Sequence, residues 1–409
     1  MTPDGAGGKD GASAFLAGLA GPDLLSRPTW EQWLDIAPPF AQTGYAMGGV
    51  TARYRRNGFA WDIHATLYTP EAEVDPGLAF VVFHGGAGSE RGKDETPDGR
   101  PGIARVLAAQ GFAVLSITYP GHYPPAGEWA APIEGRLPIY LLDRDLEAAE
   151  IRQRNLCCTF NVIMEGAGRL VDRHLAGRRL LAFGHSTGGP MAADLYRVVD
   201  KAKVVGIIGF GSGGPDGWRG RWRDQTGAES AKEQPLDLVA SHTAEGFRRA
   251  GYEDHGDLTP WGGAEEYTAW GARVRSQIKT GLCFNQHRAC RRALEKYPAL
   301  TGLAAEEYLG HLADPDPEWL ASIGVLLLVG ENDRGHWLRG ERIGDKREMY
   351  MAVRYAEHTP RSRLVLVPRY GHFGFAARHN EKIVHAWLWA LLNGFFPGVD
   401  SEKLSPPER

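Results

Sequence analysis

Short, continuous apolar runs recur along the chain and alternate with stretches of helical periodicity. An apolar run without polar alternation is typical of a strand that is buried on both faces of a parallel sheet. Such runs predict strands at Leu78–Phe83, Phe112–Thr118, Leu180–Phe183, Val204–Phe210, Gly324–Val329 and Leu364–Val367. The intervening stretches predict helices near 102–110, 155–174, 188–199, 342–358 and 381–393. This alternation predicts βαβ crossovers and a mostly parallel, doubly wound α/β sheet.

The first 70 residues have a different pattern. Residues 1–13 are rich in Gly, Asp and Ala and predict a frayed end, while Trp30–Ile36 predicts a short amphipathic helix. Two β-prone runs, Val50–Arg55 and Phe59–Tyr68, flank Asn57-Gly58, a dipeptide typical of tight hairpin turns. We therefore expect antiparallel strands before the parallel sheet.

Residues 211–322 interrupt the alternation of strands and helices. A structureless loop of that length is uncommon in a compact domain, so the segment predicts a helical cap inserted over the sheet. The predicted organisation is an N-terminal extension at 1–36, an α/β core at 37–210 and 323–397, and a cap at 211–322.

Charge and hydropathy exclude several classes of protein. The 409 residues include 46 Lys+Arg and 50 Asp+Glu, a formal net charge of −4, so no nucleic-acid partner is expected. No apolar run reaches the roughly 18 to 20 residues that cross a bilayer, and the N-terminus lacks the positive charge of a signal peptide. We expect a cytoplasmic protein with no membrane partner, and a homodimer stays open.

The cysteines indicate neither a disulfide scaffold nor a metal site. Four cysteines are too few for a scaffold in a chain of this length, so we expect reduced thiols. Cys283, His287 and Cys290 have a spacing that suggests zinc, but a structural site needs four ligands and no fourth is evident nearby. We therefore expect no metal and no cofactor.

A candidate nucleophile lies between a predicted strand and a predicted helix. Ser186 is flanked by Gly184 and Gly188, and this Gly-x-Ser-x-Gly pattern is typical of a sharp turn that exposes a serine hydroxyl to a base. The following helix offers backbone N–H groups and its positive end to an oxyanion. The alternative is a Gly/Ser loop that only caps the helix.

Glycines after an earlier strand predict the oxyanion hole. Gly85 and Gly86 follow His84 where the chain leaves the Leu78–Phe83 run. The N–H group of Gly85 or Gly86 would join that of Thr187 in holding the negative oxygen of a tetrahedral intermediate. The alternative is an ordinary strand-ending turn.

A serine nucleophile also needs a base and a carboxylate that orients it. His372 follows the last predicted strand, where a short loop brings an imidazole to the carboxyl edge of the sheet, and we take it as the base. Asp333 follows the preceding strand and is the first choice for the acid, with Glu331 and Asp216 as alternatives. Each carboxylate also suits a helix cap or a solvated loop.

These motifs resemble the α/β-hydrolase superfamily, in particular its capped serine esterases and lipases, over almost the whole chain. The resemblance rests on His84–Gly88, Tyr119–His122, the elbow Gly184–Gly188, Asp333 and His372, in the superfamily's order of nucleophile, acid and base. A serine nucleophile argues against the dehalogenases and epoxide hydrolases of this fold, which use aspartate. The resemblance implies an α/β-hydrolase fold with antiparallel N-terminal strands and a helical cap.

The resemblance also implies acyl transfer to water through an acyl-serine, and hence a carboxylic ester hydrolase with a small-molecule substrate. Amidase, lactonase and acyltransferase reactions use the same residues and stay open, while a catalytically silent binding module should lack a member of the triad. An apolar or aromatic ester is suggested by four tryptophans of the predicted cap, although they also suit the cap's own core. They are Trp218, Trp222, Trp261 and Trp270.

Overall fold

One sheet of nine strands, flanked by helices, dominates the part of the chain that the structure describes. The computed structural model describes residues 7–85, 91–120, 157–186, 188–211, 263, 265–267, 269–270, 301–304, 307, 316–331 and 359–404. The strands are β1 (Leu25–Ser26), β2 (Tyr45–Arg56), β3 (Phe59–Pro70), β4 (Leu78–Phe83), β5 (Ala113–Thr118), β6 (Arg179–His185), β7 (Val204–Phe210), β8 (Gly324–Gly330) and β9 (Ser362–Val367). The helices are α1 (Gly7–Ala20), α2 (Trp30–Leu34), α3 (Arg91–Asp94), α4 (Ile103–Ala109), α5 (Phe160–His174), α6 (Gly188–Asp194), α7 (Pro317–Ser322) and α8 (Glu381–Leu392).

The strand order confirms the predicted parallel sheet with an antiparallel edge. The order is β1-β9-β8-β7-β6-β4-β5-β3-β2. β2 and β3 pair antiparallel, as do β3 and β5, and every other pair is parallel. All residues of β4, β5, β7 and β8 are buried, which is why their sequences are mostly apolar and do not alternate between apolar and charged residues.

The hairpin at the antiparallel edge follows directly from its turn residues. Asn57 and Gly58 have φ values of 54° and 80°, the left-handed conformation that a two-residue hairpin loop of the primed type requires at both positions. Because Asn and Gly adopt it at little cost, the dipeptide sets the register that pairs Arg56 with Phe59.

Two hydrophobic layers cover the faces of the sheet. One contains α1, α2, α4 and α8, with Trp33 and Trp387 fully buried in it. The other contains α5, α6 and α7. α5 begins where the Thr159 hydroxyl accepts the Val162 N–H at 3.3 Å, and its apolar side packs on the sheet. Cys157 and Cys158, just before this helix, are buried, and the described residues contain no disulfide bond to either of them.

The N-terminal segment is helical from Gly7, and not frayed to residue 13 as composition predicts. Phe15 and Leu19 of α1 are buried against the core, and β1 adds a parallel strand to β9. α1 approaches α2 so closely at Gly11 that a Cβ there would lie 2.7 Å from the Gln32 carbonyl oxygen. The glycines of this segment indicate flexibility when only the local sequence is considered. In the folded protein, Gly11 permits close packing of α1 on α2.

The last helix of the range predicted for the cap packs on the α/β core. Trp319 of α7 stacks on Tyr196 with ring centroids 3.9 Å apart and donates its indole N–H to the Val204 carbonyl at 3.2 Å. Elsewhere in this range the structure describes only short pieces, of which 265–267 and 269–270 are helical. Within the described ranges, no helix combines the length and the apolar character needed to span a membrane.

Candidate active site

The carboxyl ends of parallel strands bring several predicted site residues to one edge of the sheet. β4, β6, β7, β8 and β9 all pair parallel, so their carboxyl ends lie on the same side of the molecule. Gly85 lies just after β4, Ser186 directly after β6 and Glu331 directly after β8, and His372 lies in the loop after β9. This edge is where ligands bind in open α/β sheets.

Ser186 occupies a strained turn between β6 and α6. Its φ of 52° is in the left-handed region that residues with side chains rarely adopt. A Cβ on Gly184 would lie 2.2 Å from the Gly188 carbonyl oxygen, and one on Gly188 would lie 2.6 Å from the His84 carbonyl oxygen. Both flanking positions therefore require glycine, and the geometry is that of a nucleophile elbow.

Backbone hydrogen bonds hold this turn in place. The Ser186 N–H donates to the Phe210 carbonyl at the end of β7, and the Ser186 carbonyl accepts from the Gly189 N–H, both at 3.1 Å. The strain at Ser186 is thus balanced by contacts to the neighbouring strand and to the first turn of α6.

Gly85 lies directly against the elbow. A Cβ on Gly85 would approach the Ser186 Cβ to 3.2 Å and the His185 Nδ1 to 2.6 Å. The backbone after β4 therefore passes beside the candidate nucleophile, as an oxyanion hole requires. Gly86 and Thr187, the other predicted oxyanion donors, lie outside the described residues.

The structure also brings the His372 loop to the elbow. His372 is buried, and its backbone carbonyl accepts a hydrogen bond of 2.9 Å from Nε2 of His185, the residue before the candidate nucleophile. The two imidazole rings have centroids 4.7 Å apart. The predicted base and the predicted nucleophile therefore belong to segments that are in direct contact.

Of the two candidate acids after β8, Glu331 is among the described residues and Asp333 is not. Glu331 is exposed, and its carboxylate accepts the N–H of Arg369 at 3.1 Å. Arg369 has a φ of 62° in the turn that precedes His372, so Glu331 ties this turn to the end of β8. Asp333 and Asp216 lie outside the described residues.

Aromatic side chains surround the His372 loop. The ring of Phe375 is 4.3 Å from that of His185, and Phe373 packs edge-on against Trp270 at 6.2 Å. Trp270 is buried and donates its indole N–H to the Glu95 carbonyl at 3.1 Å. Of the four tryptophans predicted to bind substrate, this one is described, and it lies against the residue next to His372. The other three, Trp218, Trp222 and Trp261, lie outside the described residues.

A buried lysine lies behind this aromatic group. Lys93 of α3 is only 2% exposed, and its Nζ is 3.1 Å from the centroid of the Phe375 ring. Among the described residues no carboxylate forms an ion pair with it, and burial lowers the pKa of the ammonium well below its ordinary value.

Sequence reasoning assigned no role to His185 or Lys93. The one available signal for His185 was its place next to the candidate nucleophile. Lys93 had none, because its local sequence does not reveal that α3 turns this side chain inward. The cysteines and histidine of the rejected zinc site lie outside the described residues, which themselves hold no group of three potential metal ligands.

Sequence comparison identifies the family. The sequence profile of the alpha/beta hydrolase family matches residues 80–386, which is most of the chain and includes the elbow and the His372 loop. The chain therefore belongs to the alpha/beta hydrolase family. Its mostly parallel sheet with an antiparallel edge is the fold that the sequence motifs predicted.

Several solved structures are similar to the chain at low sequence identity. A thermostable carboxyl esterase from Bacillus coagulans is 15% identical, with a TM-score of 0.45 over 86% of this chain and 100% of that one. A proline iminopeptidase-related protein from Thermus thermophilus is 16% identical, with a TM-score of 0.43 over 86% and 99% of the two chains. A peroxisomal alpha-beta-hydrolase from Saccharomyces cerevisiae is 12% identical, with a TM-score of 0.44 over 90% and 93%. No curated protein sequence matches the chain.

Proposed function

We propose that this member of the alpha/beta hydrolase family is a serine hydrolase that cleaves a carboxylic ester through an acyl-serine intermediate. The observation that supports it most is the elbow: Ser186 has a φ of 52° between glycines whose positions leave no room for a side chain. Such strain persists only where the surrounding contacts enforce it, and it is typical of functional sites.

In this mechanism the Ser186 hydroxyl attacks the ester carbonyl while His372 accepts its proton. The N–H groups of Gly85 or Gly86 and of Thr187 stabilise the negative oxygen of the tetrahedral intermediate. His372 then donates the proton to the leaving alcohol, and water releases the acyl group by the same steps in reverse. No step requires a cofactor.

Asp333 is the proposed acid that orients His372. Two observations favour it over Glu331: the Glu331 carboxylate already accepts the Arg369 N–H, and its side chain is exposed to solvent. An orienting carboxylate works best when it is buried and hydrogen-bonded to the imidazole.

An apolar or aromatic ester is the proposed substrate class. Trp270 supports it, since this buried indole packs on Phe373 beside His372 and can exclude water from the site. Trp218, Trp222 and Trp261 are proposed to contribute to the same surface. Amide or lactone hydrolysis and acyl transfer to an alcohol remain the alternatives, because they use the same triad.

The test combines a covalent probe with an ester panel. Wild-type protein should react with a fluorophosphonate and hydrolyse some of a panel of small, long-chain and aryl esters and lactones. Ser186→Ala should do neither, with turnover reduced on the order of a millionfold. Ser322→Ala, which removes the hydroxyl of an exposed residue of α7, is the control and should behave like wild type. Turnover by folded Ser186→Ala would overturn the proposal, and product analysis with added alcohol separates hydrolysis from acyl transfer.

A further inference from the structure

His185 connects two segments that the proposed chemistry must hold together. It is the last residue of β6, directly before the nucleophile, and its side chain is 2% exposed. A backbone carbonyl can only accept a hydrogen, so His185 Nε2 carries the hydrogen that it donates to the His372 carbonyl at 2.9 Å. The bond joins the end of β6 to the loop after β9, which are 187 residues apart in sequence.

The same imidazole also contacts the third segment of the site. A Cβ on Gly85 would lie 2.6 Å from Nδ1 and 3.0 Å from Cε1 of His185, so the imidazole packs directly on the backbone that follows β4. One side chain therefore touches the nucleophile's strand, the loop of the proposed base and the proposed oxyanion backbone.

Aromatic rings surround the imidazole of His185, so water cannot easily replace its hydrogen bond to the His372 carbonyl. Phe375 and Phe373 pack on its ring with centroid distances of 4.3 Å and 5.3 Å. A carbonyl that is buried among rings and loses its donor incurs a desolvation cost that water cannot easily offset. The His372 backbone would then move to find another partner.

We propose that His185 is a positioning residue that sets the distance between His372 and Ser186. The inference rests on the proposed function, because it assigns His185 a role only if Ser186 and His372 react together. A displacement of about 1 Å at such a site is enough to lower a rate on the order of a hundredfold. His185 itself neither contacts substrate nor transfers a proton in this proposal.

The test compares two substitutions of His185 with a matched histidine elsewhere. His185→Met removes the hydrogen-bond donor and replaces the imidazole with an apolar side chain of similar length. His185→Gln keeps an N–H group near the position of Nε2. The control is His385→Met: His385 of α8 is also buried and hydrogen-bonded to a carbonyl, that of Ile36 at 3.2 Å. Burial lowers the pKa of His385 to about 4, so it stays neutral across the assay range. The readouts are the rate of fluorophosphonate labelling from pH 5 to 9, kcat and KM for one ester, and Tm.

The expected result is a loss on the order of 10- to 100-fold in labelling rate and kcat for His185→Met, with KM changed little, because only the geometry of the reacting groups is altered. His185→Gln should recover much of the rate, and His385→Met should keep the wild-type rate and pH profile even if its Tm falls. The inference is wrong if folded His185→Met labels at the wild-type rate, or if folded His185→Gln is no faster than His185→Met. A wild-type protein that is not labelled at Ser186 would instead refute the proposed function, and the inference with it.

Discussion

At the scale of single residues, Lys93 places an ionisable group in a buried part of the protein, next to an aromatic ring. The ammonium has Phe375 at 3.1 Å and, among the described residues, no carboxylate partner. A desolvated cation–π contact is worth about 2 kcal/mol, whereas burying an ion costs several kcal/mol. Burial should therefore outweigh the ring contact and make Lys93 a net destabilising residue at neutral pH.

We expect Lys93→Met to raise the free energy of unfolding at neutral pH by about 1 kcal/mol or more. The pKa of Lys93 is lowered in the folded state and returns towards 10.5 on unfolding. At pH values between the lowered pKa and 10.5, the unfolded state therefore binds more protons than the folded state. Wild-type stability must rise with pH across that window, and the advantage of Lys93→Met should shrink as pH approaches 10.5. Denaturant unfolding at several pH values measures this.

Lys382→Met is the control for Lys93→Met, because Lys382 is partly buried but donates to the Ile36 carbonyl at 2.9 Å. Its loss removes a satisfied hydrogen bond and should not stabilise the protein. If Lys93→Met is less stable than wild type at neutral pH, the contact with Phe375 outweighs the cost of burial.

The two carboxylates after β8 should respond differently to loss of charge. Asp333→Asn should lower kcat about ten-thousandfold, since an amide in place of the proposed orienting carboxylate would leave the imidazole in the wrong tautomer. Glu331→Gln keeps an oxygen that accepts the Arg369 N–H and should be mild. Steady-state kinetics of both variants test this, and the opposite order of damage would assign the acid to Glu331.

At the scale of secondary structure, close packing of α1 on α2 should depend on one glycine. A Cβ on Gly11 would lie 2.7 Å from backbone atoms of Asp35 and Gln32, which cannot rotate away. We expect Gly11→Ala to lower the free energy of unfolding by roughly 1 to 3 kcal/mol through overpacking, despite the better helix propensity of alanine.

Gly21→Ala is the matched control, because a Cβ there would meet only ordinary contacts, the nearest at 3.5 Å from the Ala17 carbonyl oxygen. Thermal melts of the two variants should separate clearly. Equal stability of Gly11→Ala and wild type would show that α1 can shift on α2 without cost.

At the scale of the whole molecule, the segment between β7 and β8 contacts the core not only through α7 but also through Trp270 and Glu307. Trp270 packs on Phe373 and donates to the Glu95 carbonyl. Glu307 accepts two hydrogen bonds of 2.7 Å from the Arg56 guanidinium at the hairpin. Burial raises the pKa of the Glu307 carboxyl, but the hydrogen bonds from Arg56 and its neighbours outweigh burial and lower the pKa below its ordinary value. The contact made by Trp270 borders the candidate site, and the contact made by Glu307 lies at the antiparallel edge of the sheet.

Trp270→Ala should therefore alter substrate preference as well as lower stability, because the indole is buried. We expect the ratio of kcat/KM for aryl over small alkyl esters to change by about tenfold or more, the scale of specificity that apolar contacts provide. Trp319→Ala, which removes a tryptophan that stacks on Tyr196 in the core, is the control and should lower Tm without changing the ratio. If Trp270→Ala behaves like Trp319→Ala, Trp270 is a packing residue and other side chains line the pocket.

Local sequence was enough to predict much of the sheet and the sharp turn at Ser186. The runs Leu78–Phe83 and Val204–Phe210 could be placed because a strand buried on both faces must be apolar throughout, and Asn57-Gly58 because its conformation is a property of the dipeptide itself. Gly184 likewise reports a local steric need, because a Cβ there would meet the Gly188 carbonyl. In each case the signal lies within a few residues of the feature that it predicts.

Tertiary structure alone decided which side chains meet. The hydrogen bond from His185 to the His372 carbonyl, the burial of Lys93 under Phe375 and the capture of the Arg369 N–H by Glu331 all join segments that strand order brings together. The helix α1 was missed for the same reason, since its glycines indicate flexibility until α2 lies against them. Periodicity and turn chemistry are properties of neighbours in sequence, whereas these contacts depend on neighbours in space.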